Sequence, residues 1–267
     1  MNEAVALGPL VLPWAFLHLC VAIAASLAVA ALLTRRHKPD AGPLLWRSLW
    51  IALVFARLGF LYQYKELYAE HPLSVLNLRD GGWSPEVGII AMWMYATLQL
   101  RNVPAMRLAV AMPLAVGTAI VIAGQIQLVM RPAAEPLPAL RFEQLNGEAI
   151  DLAALRGKPV LINLWATWCG PCIREMPMLE QAQRDRPDVR FVFINQGEDA
   201  AHVAKWLGQQ RLTLGNVAID ERRQASAVFK QAGYPTTLLF DASGKLVGKR
   251  TGELSQPALE AMLTRLR

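Results

Sequence analysis

Four long apolar runs fill the first half of this chain, and they restrict that half to helices suited to hydrocarbon. Leu10 to Leu33 is almost entirely apolar. As a helix it would extend about 36 Å, enough to cross a bilayer core, where backbone polar groups must be paired within the segment. Leu44 to Tyr62 follows, with Arg47 and Arg57 near its ends, where long stems can snorkel to an interface. Val87 to Leu100 is shorter and can extend back to Trp83. Leu108 to Met130 carries Pro113 and glycines, which neighbouring helices can accommodate. Hydrophobic residues make up 54% of the 267. The excess is confined to these runs; beyond about residue 130 the chain reads as an ordinary soluble domain. The expected fold class is thus an α-helical transmembrane domain of about four helices followed by an α/β domain. The expected boundaries are 1–130 for the membrane domain, 131–139 for a proline-rich linker and 140–267 for the soluble domain. Glu3 is the only early charge, so the first run reads as a span and not as a cleaved signal. His18 and Cys20, inside that run, read as packing residues.

Charge between the runs sets the orientation. Arg35, Arg36 and Lys38 follow the first run, and Arg101 and Arg107 separate the third from the fourth. The loop between the second and third mixes Lys65 and Arg79 with Glu66, Glu70, Asp80 and Glu86. The positive-inside rule then puts the basic loops in the cytoplasm and the soluble domain on the periplasmic side of a bacterial inner membrane. Paired thiols can be oxidised there, so a redox protein has substrates. Several of the basic residues behind the formal net charge of +6 lie between the apolar runs, where they orient the chain. No basic-aromatic stripe of the kind nucleic acid requires is present in the sequence.

In the second half, Leu140 to Leu152 alternates around Asn146-Gly147, a hairpin signal. Pro159 to Trp165 is a continuous apolar run that suits a buried strand. Helical spacing follows from Ile173 to Arg184. Val189 to Asn195 reads as a strand, Asp199 to Gln210 as a helix, Asn216 to Ile219 as a strand and Arg222 to Ala232 as a helix. Thr236 to Phe240 and Leu246 to Arg250 read as a hairpin, and Ser255 caps a last helix to Leu266. Alternating strands and helices predict a mixed sheet with helices on both faces.

Cys169-Gly170-Pro171-Cys172 lies where the buried strand gives way to a helix. Unpaired N–H groups and the helix dipole favour a thiolate at Cys169, the attacking species in disulfide exchange. Cys172, one turn on, can close back on Cys169 and release a mixed disulfide. Trp168 would shape the rim of the site. A structural zinc site needs about four ligands, and no second Cys pair exists. A c-type haem site needs His after the second Cys, where Ile173 stands. A purely structural disulfide in so small a ring gains little from loop closure. No metal and no cofactor are expected.

Trp165-Ala166-Thr167-Trp168-Cys169-Gly170-Pro171-Cys172 resembles the thioredoxin active site. The longer pattern from Gly157-Lys158-Pro159 to Glu175-Met176-Pro177 resembles the TlpA-like redoxin branch, over about residues 138–267. The resemblance implies a thioredoxin-like fold and a protein-disulfide reductase of the kind that serves cytochrome c or metalloprotein maturation. Its partners would be proteins with disulfides or paired thiols and a membrane electron donor of the DsbD or CcdA type. It also implies that Gly233-Tyr234-Pro235-Thr236-Thr237 is a cis-proline loop, with Pro235 against the Cys169 sulfur and Tyr234 and Thr236 beside a substrate peptide. Glu175 would be the acidic residue beside the disulfide. Asn163 stands where typical thioredoxins carry a buried Asp. Asn195-Gln196-Gly197-Glu198 is similar to the loop after the third strand, with no catalytic role assigned.

The membrane half has its own resemblance. Ala56-Arg57-Leu58-Gly59-Phe60, His71-Pro72-Leu73 and Gly81-Gly82-Trp83-Ser84-Pro85-Glu86-Val87-Gly88 are similar to part of the prolipoprotein diacylglyceryl transferase family, over about residues 45–130. By that resemblance Arg57 would be a lipid-headgroup contact; as an ordinary residue it would snorkel to the interface. Where the family carries a functional His, this chain has Glu86. Two other functional readings stay open: a disulfide oxidase or isomerase, and a lipid-modifying transferase with an accessory redox domain.

Overall fold

The computed structural model of the chain describes residues 4–7, 10–34, 41–70, 75, 82–130, 136–231 and 233–266. The chain divides into two compact units, Ala15–Val129 and a second built from Met130–Arg267 together with Met1–Trp14. Residues 35–40, 71–74, 76–81 and 131–135 lie outside the described residues, and with them Arg35, Arg36, Lys38, Arg79, Asp80 and most of the proline-rich linker.

The first unit is helical. It comprises α1 (Trp14–Thr34), α2 (Gly42–Gln63), the short α3 (Lys65–Glu70), α4 (Pro85–Asn102) and α5 (Arg107–Met130). Among the described residues, three stretches are long and apolar enough to cross a membrane: Trp14–Leu33, Gly42–Gln63 and Pro104–Gln127. At 18 residues, and with Glu86 and Arg101 inside it, α4 is the shortest and most polar of the four long helices. The start of the first apolar run departs from the sequence expectation. Leu10–Pro13 is a strand, β2, paired antiparallel with β1 (Ala4–Leu7). Pro13 accounts for the break, since its ring would clash with the turn before it in a continuous helix, and α1 begins at the next residue.

Close backbone approach joins α2 to α4. A Cβ on Gly88 would lie 2.5 Å from the Ala52 carbonyl oxygen and 2.9 Å from the Ala56 Cβ. In hydrocarbon such small-residue contacts replace the hydrophobic effect as the source of association. Gly88→Leu is therefore expected to separate the two helices and to lower the melting temperature of the detergent-solubilised protein by about 10 °C or more. Arg57, on α2, is buried. Its Nη1 donates to the Gly82 carbonyl at 2.8 Å and its Nη2 to the Val75 carbonyl at 3.0 Å. Its guanidinium lies 5.6 Å from the Tyr68 ring centre and 6.0 Å from that of Trp83. This corrects the snorkelling expectation: the side chain turns into the helical unit, where backbone carbonyls and rings replace the interface.

The second unit is a seven-stranded mixed sheet in the order β4-β3-β7-β6-β5-β8-β9. Its strands are β3 (Arg141–Gln144), β4 (Ala149–Asp151), β5 (Val160–Trp165), β6 (Arg190–Gln196), β7 (Val217–Asp220), β8 (Thr236–Phe240) and β9 (Leu246–Thr251). β5, β6 and β7 are parallel, and β8 runs antiparallel to β5. Helices α6 (Gly170–Asp185), α7 (Ala200–Gln210), α8 (Gln224–Val228) and α9 (Gln256–Leu263) complete the unit. Every residue of β5 is buried, because both sheet faces are covered. Alternate residues enter two cores: Leu161 and Trp165 pack with Met176 and Leu179 of α6, whereas Val160, Ile162 and Leu164 pack with Phe240 and Leu152 on the other face. Asn163, midway between Leu161 and Trp165, is thus directed to the α6 side. α8 is shorter than the Arg222–Ala232 helix read from the sequence, starting at Gln224 after Arg223 in the left-handed conformation (φ 55°).

Candidate active site

β5 runs out at Trp165, and four residues later Cys169 caps the N-terminus of α6. The Cys169 sulfur accepts the Cys172 N–H at 3.3 Å and is bonded to the Cys172 sulfur, so the structure is the oxidised form. Pro171 sits in the first helical turn, where its missing N–H costs nothing. The two sulfurs differ in access: Cys172 is fully enclosed and Cys169 is 5% exposed. Trp168 beside them is 61% exposed.

Glu175 lies one turn beyond Cys172 on α6 and is buried. It accepts the Leu254 N–H at 2.7 Å and the Asn163 side-chain amide at 2.8 Å. The same Asn163 amide nitrogen donates to Thr237 at 3.1 Å. Burial pushes the Glu175 carboxyl up, to about 8, because the charged form loses its water; the Leu254 and Asn163 donors and the more distant Arg250 work against this, and Glu253 adds to it. A carboxylic acid that can give up or take a proton near neutrality is therefore held one helical turn beyond Cys172.

The Tyr234–Pro235 peptide bond is cis, as the resemblance implied. Pro235 is buried immediately before β8, whose Thr236 pairs with Leu164 of β5. The loop therefore sits at the end of the sheet where β5 delivers Cys169. The Tyr234 ring meets Trp168 edge-on, with centroids 5.9 Å apart. Thr236 is wholly buried, its hydroxyl donating to the Gly233 carbonyl at 2.8 Å. In this structure it shapes the loop, and the substrate contact expected of it from sequence has no exposed surface to use.

Sequence reasoning left the β6–α7 turn idle, but the structure ties it to the site. Glu198 accepts the Thr167 N–H at 2.8 Å, the Thr167 hydroxyl and the Asn195 side-chain amide at 2.7 Å. His202 lies 3.5 Å from Glu198 and 3.1 Å from the Thr167 hydroxyl. The residue preceding Trp168 is thereby held by main chain and side chain together. Glu198→Ala leaves the buried Thr167 N–H without its acceptor. It is expected to cost about 2 kcal/mol, readable as a lower denaturant midpoint with unchanged slope. The clue in the sequence was an acidic residue just before a helix cap, a pattern shared by many surface turns.

Residues 132–263 match the redoxin family and residues 2–125 match the prolipoprotein diacylglyceryl transferase family, a longer span than the sequence motifs alone indicated. The chain is 32% identical over 131 residues to the thiol-disulfide oxidoreductase ResA of Bacillus cereus, a match spanning 48% of this chain and 75% of that protein. The chain belongs to the redoxin family of thiol-disulfide oxidoreductases. ResA of Bacillus subtilis is 31% identical over 121 residues, 45% of this chain and 67% of that protein. Among solved structures, a putative thiol:disulfide interchange protein DsbE from Chlorobium tepidum is 25% identical, covering 51% of this chain and 99% of its own, with a TM-score of 0.47. As a member of this redoxin family the chain is a protein-disulfide oxidoreductase carried on a helical membrane domain.

Proposed function

We propose that the protein is a periplasm-facing disulfide reductase in which Cys169 is the attacking thiolate and Cys172 the resolving thiol. The carrying observation is the asymmetric pair at the α6 N-terminus, Cys169 keeping a slight exposure of 5% and Cys172 wholly enclosed, with Glu175 buried one helical turn further on. In the reduced enzyme, the Cys169 thiolate attacks a substrate disulfide. One substrate sulfur leaves as a thiolate and the other stays bonded to Cys169. Cys172, losing its proton towards Glu175, attacks the Cys169 sulfur, releases the second substrate thiol and closes the disulfide seen here. Two electrons have then passed to the substrate, and a membrane donor of the DsbD or CcdA type returns them. Trp168 and Tyr234 face the substrate, and Pro235 closes the site from the side of β8. Candidate substrates are apocytochromes c and other metalloproteins with paired thiols. Residues 1–130 act as the anchor, 131–139 as the tether and 140–267 as the redox domain.

The basic residues at 35, 36, 38, 101 and 107 support the periplasmic assignment. The test is labelling in spheroplasts of a Cys20→Ala variant, after reduction, with a membrane-impermeant maleimide. Labelling of Cys169 before lysis is the expected result; labelling only after lysis overturns the orientation. Direction of flow is decided by the potential of the Cys169–Cys172 couple. The reductase reading expects a value near that of thioredoxin, about −270 mV, and a value near −120 mV would favour an oxidase.

The match of residues 2–125 to the transferase family keeps lipid modification as a second reading. Glu86 stands against it. Diacylglyceryl transfer to a prolipoprotein peptide by the purified protein would establish that activity.

A further inference from the structure

A hydrogen-bonded chain, buried at Asp220 and Gln196 and half-buried at Ser226 and Tyr234, leads from the start of α8 to the rim of the active site. The Asp220 carboxylate accepts the Gln224 N–H at 2.9 Å and the Ala225 N–H at 2.8 Å. It also accepts the Gln196 side-chain amide at 3.0 Å. A carboxylate so occupied takes only donors, which fixes the Gln196 amide with its nitrogen towards Asp220 and its oxygen towards Ser226. The Ser226 hydroxyl donates to that oxygen at 2.7 Å. A hydroxyl has one proton to give, so at its 2.8 Å contact with Tyr234 the serine accepts and the phenol donates. Every link thus has one direction. Asp220 and Gln196 are buried, which shields the inner part of the chain from water. At its far end the Tyr234 ring braces Trp168, the large exposed apolar side chain next to Cys169.

We propose that Ser226 and Gln196 are positioning residues that lock Tyr234, and through it Trp168, into a preformed aromatic platform selecting polypeptide disulfides over small ones. This rests on the reductase reading above. A tryptophan held in place loses little rotamer freedom when a substrate packs on it, so its area contributes to affinity. A polypeptide presenting an apolar side chain beside its cystine can use the platform. A small disulfide without such a side chain reaches the sulfur and nothing else.

The experiment compares the full-length protein in detergent with Ser226→Ala, Tyr234→Phe and the double variant. Each is assayed on insulin and on hydroxyethyl disulfide. Ser226→Ala is expected to raise KM for insulin about three- to ten-fold, the worth of one partly buried hydrogen bond. Its kcat for insulin and its rate on hydroxyethyl disulfide should stay within about two-fold of wild type. Tyr234→Phe should raise KM for insulin alike, and the double variant no further, because both substitutions cut the same link. An unchanged KM, an equal loss on both disulfides, or a double effect equal to the product of the single ones overturns the proposal. A wild-type protein that reduces neither disulfide sinks the reductase reading and this inference with it. A wild type active on both, with the insulin preference untouched in the variants, sinks this inference alone.

Discussion

Cys169→Ser is expected to reduce the rate of insulin disulfide reduction by about a thousand-fold or more, with the protein still folded and membrane-bound. A serine hydroxyl cannot replace a thiolate as the attacking group at neutral pH, and no other described cysteine stands in the redox unit beside the pair. The remaining free cysteine, Cys20, belongs to α1 of the helical unit. Serine fits the same position because Cys169 is a helix N-cap, a place where a serine side chain accepts backbone N–H bonds well. Loss of rate without loss of structure therefore separates the chemical role of the sulfur from its packing. Cys172→Ala should behave differently. Attack through Cys169 survives but the closing step does not, so the enzyme should stall after a single event.

Glu175→Gln is expected to remove a pH dependence from both rate and stability. In the wild type the carboxyl has been pushed up from 4.5 to about 8 by burial. The sign follows from proton counting. Between those values the folded state holds a proton that the unfolded state has released, so stability falls as pH rises. The contribution is complete below about pH 4.5, declines through neutrality and is gone above about pH 8. Its full size is on the order of 5 kcal/mol. Glutamine keeps the shape and cannot ionise. The Asn163 side-chain oxygen is buried without a hydrogen-bond partner among the described residues, so a turned Asn163 amide can accept from the new glutamine. Relative to this variant, the oxidised wild type should lose stability to urea steadily from pH 5 to about pH 8 and level off above it. The resolving step should also slow about ten- to a hundred-fold and lose its inflection near pH 8, if Glu175 handles the Cys172 proton.

Much of the redox unit could be read from periodicity because each signal was local. PVLINLW is apolar apart from Asn163, and a central strand covered on both faces suits it. Asn146-Gly147 marked the β3–β4 turn, where Gly147 adopts φ 81°. Cys169 declared itself by its spacing to Cys172 and its place between strand and helix. What escaped was non-local. Gln196, Ser226 and Asp220 come from three separate elements, and nothing in their spacing shows that they form one chain ending at Tyr234. Glu198 likewise faces Thr167 across 31 positions of sequence. Thr236 opens β8 and is buried there, its one hydroxyl proton directed to the Gly233 carbonyl, so at its 3.3 Å contact with Thr251 of the neighbouring strand it accepts. In the membrane half, hydropathy marked the helices and overran Pro13. Hydropathy also gave no hint that Arg57 would turn inward, since that depends on the Val75 and Gly82 carbonyls.

The most direct test of the account is to incubate full-length Cys172→Ala, reduced and in detergent, with insulin and to examine the products by non-reducing gel and mass spectrometry. A single covalent adduct joined through Cys169, released by dithiothreitol and absent when Cys169 is also replaced, is the predicted result. No adduct, or an adduct that persists without Cys169, would contradict it.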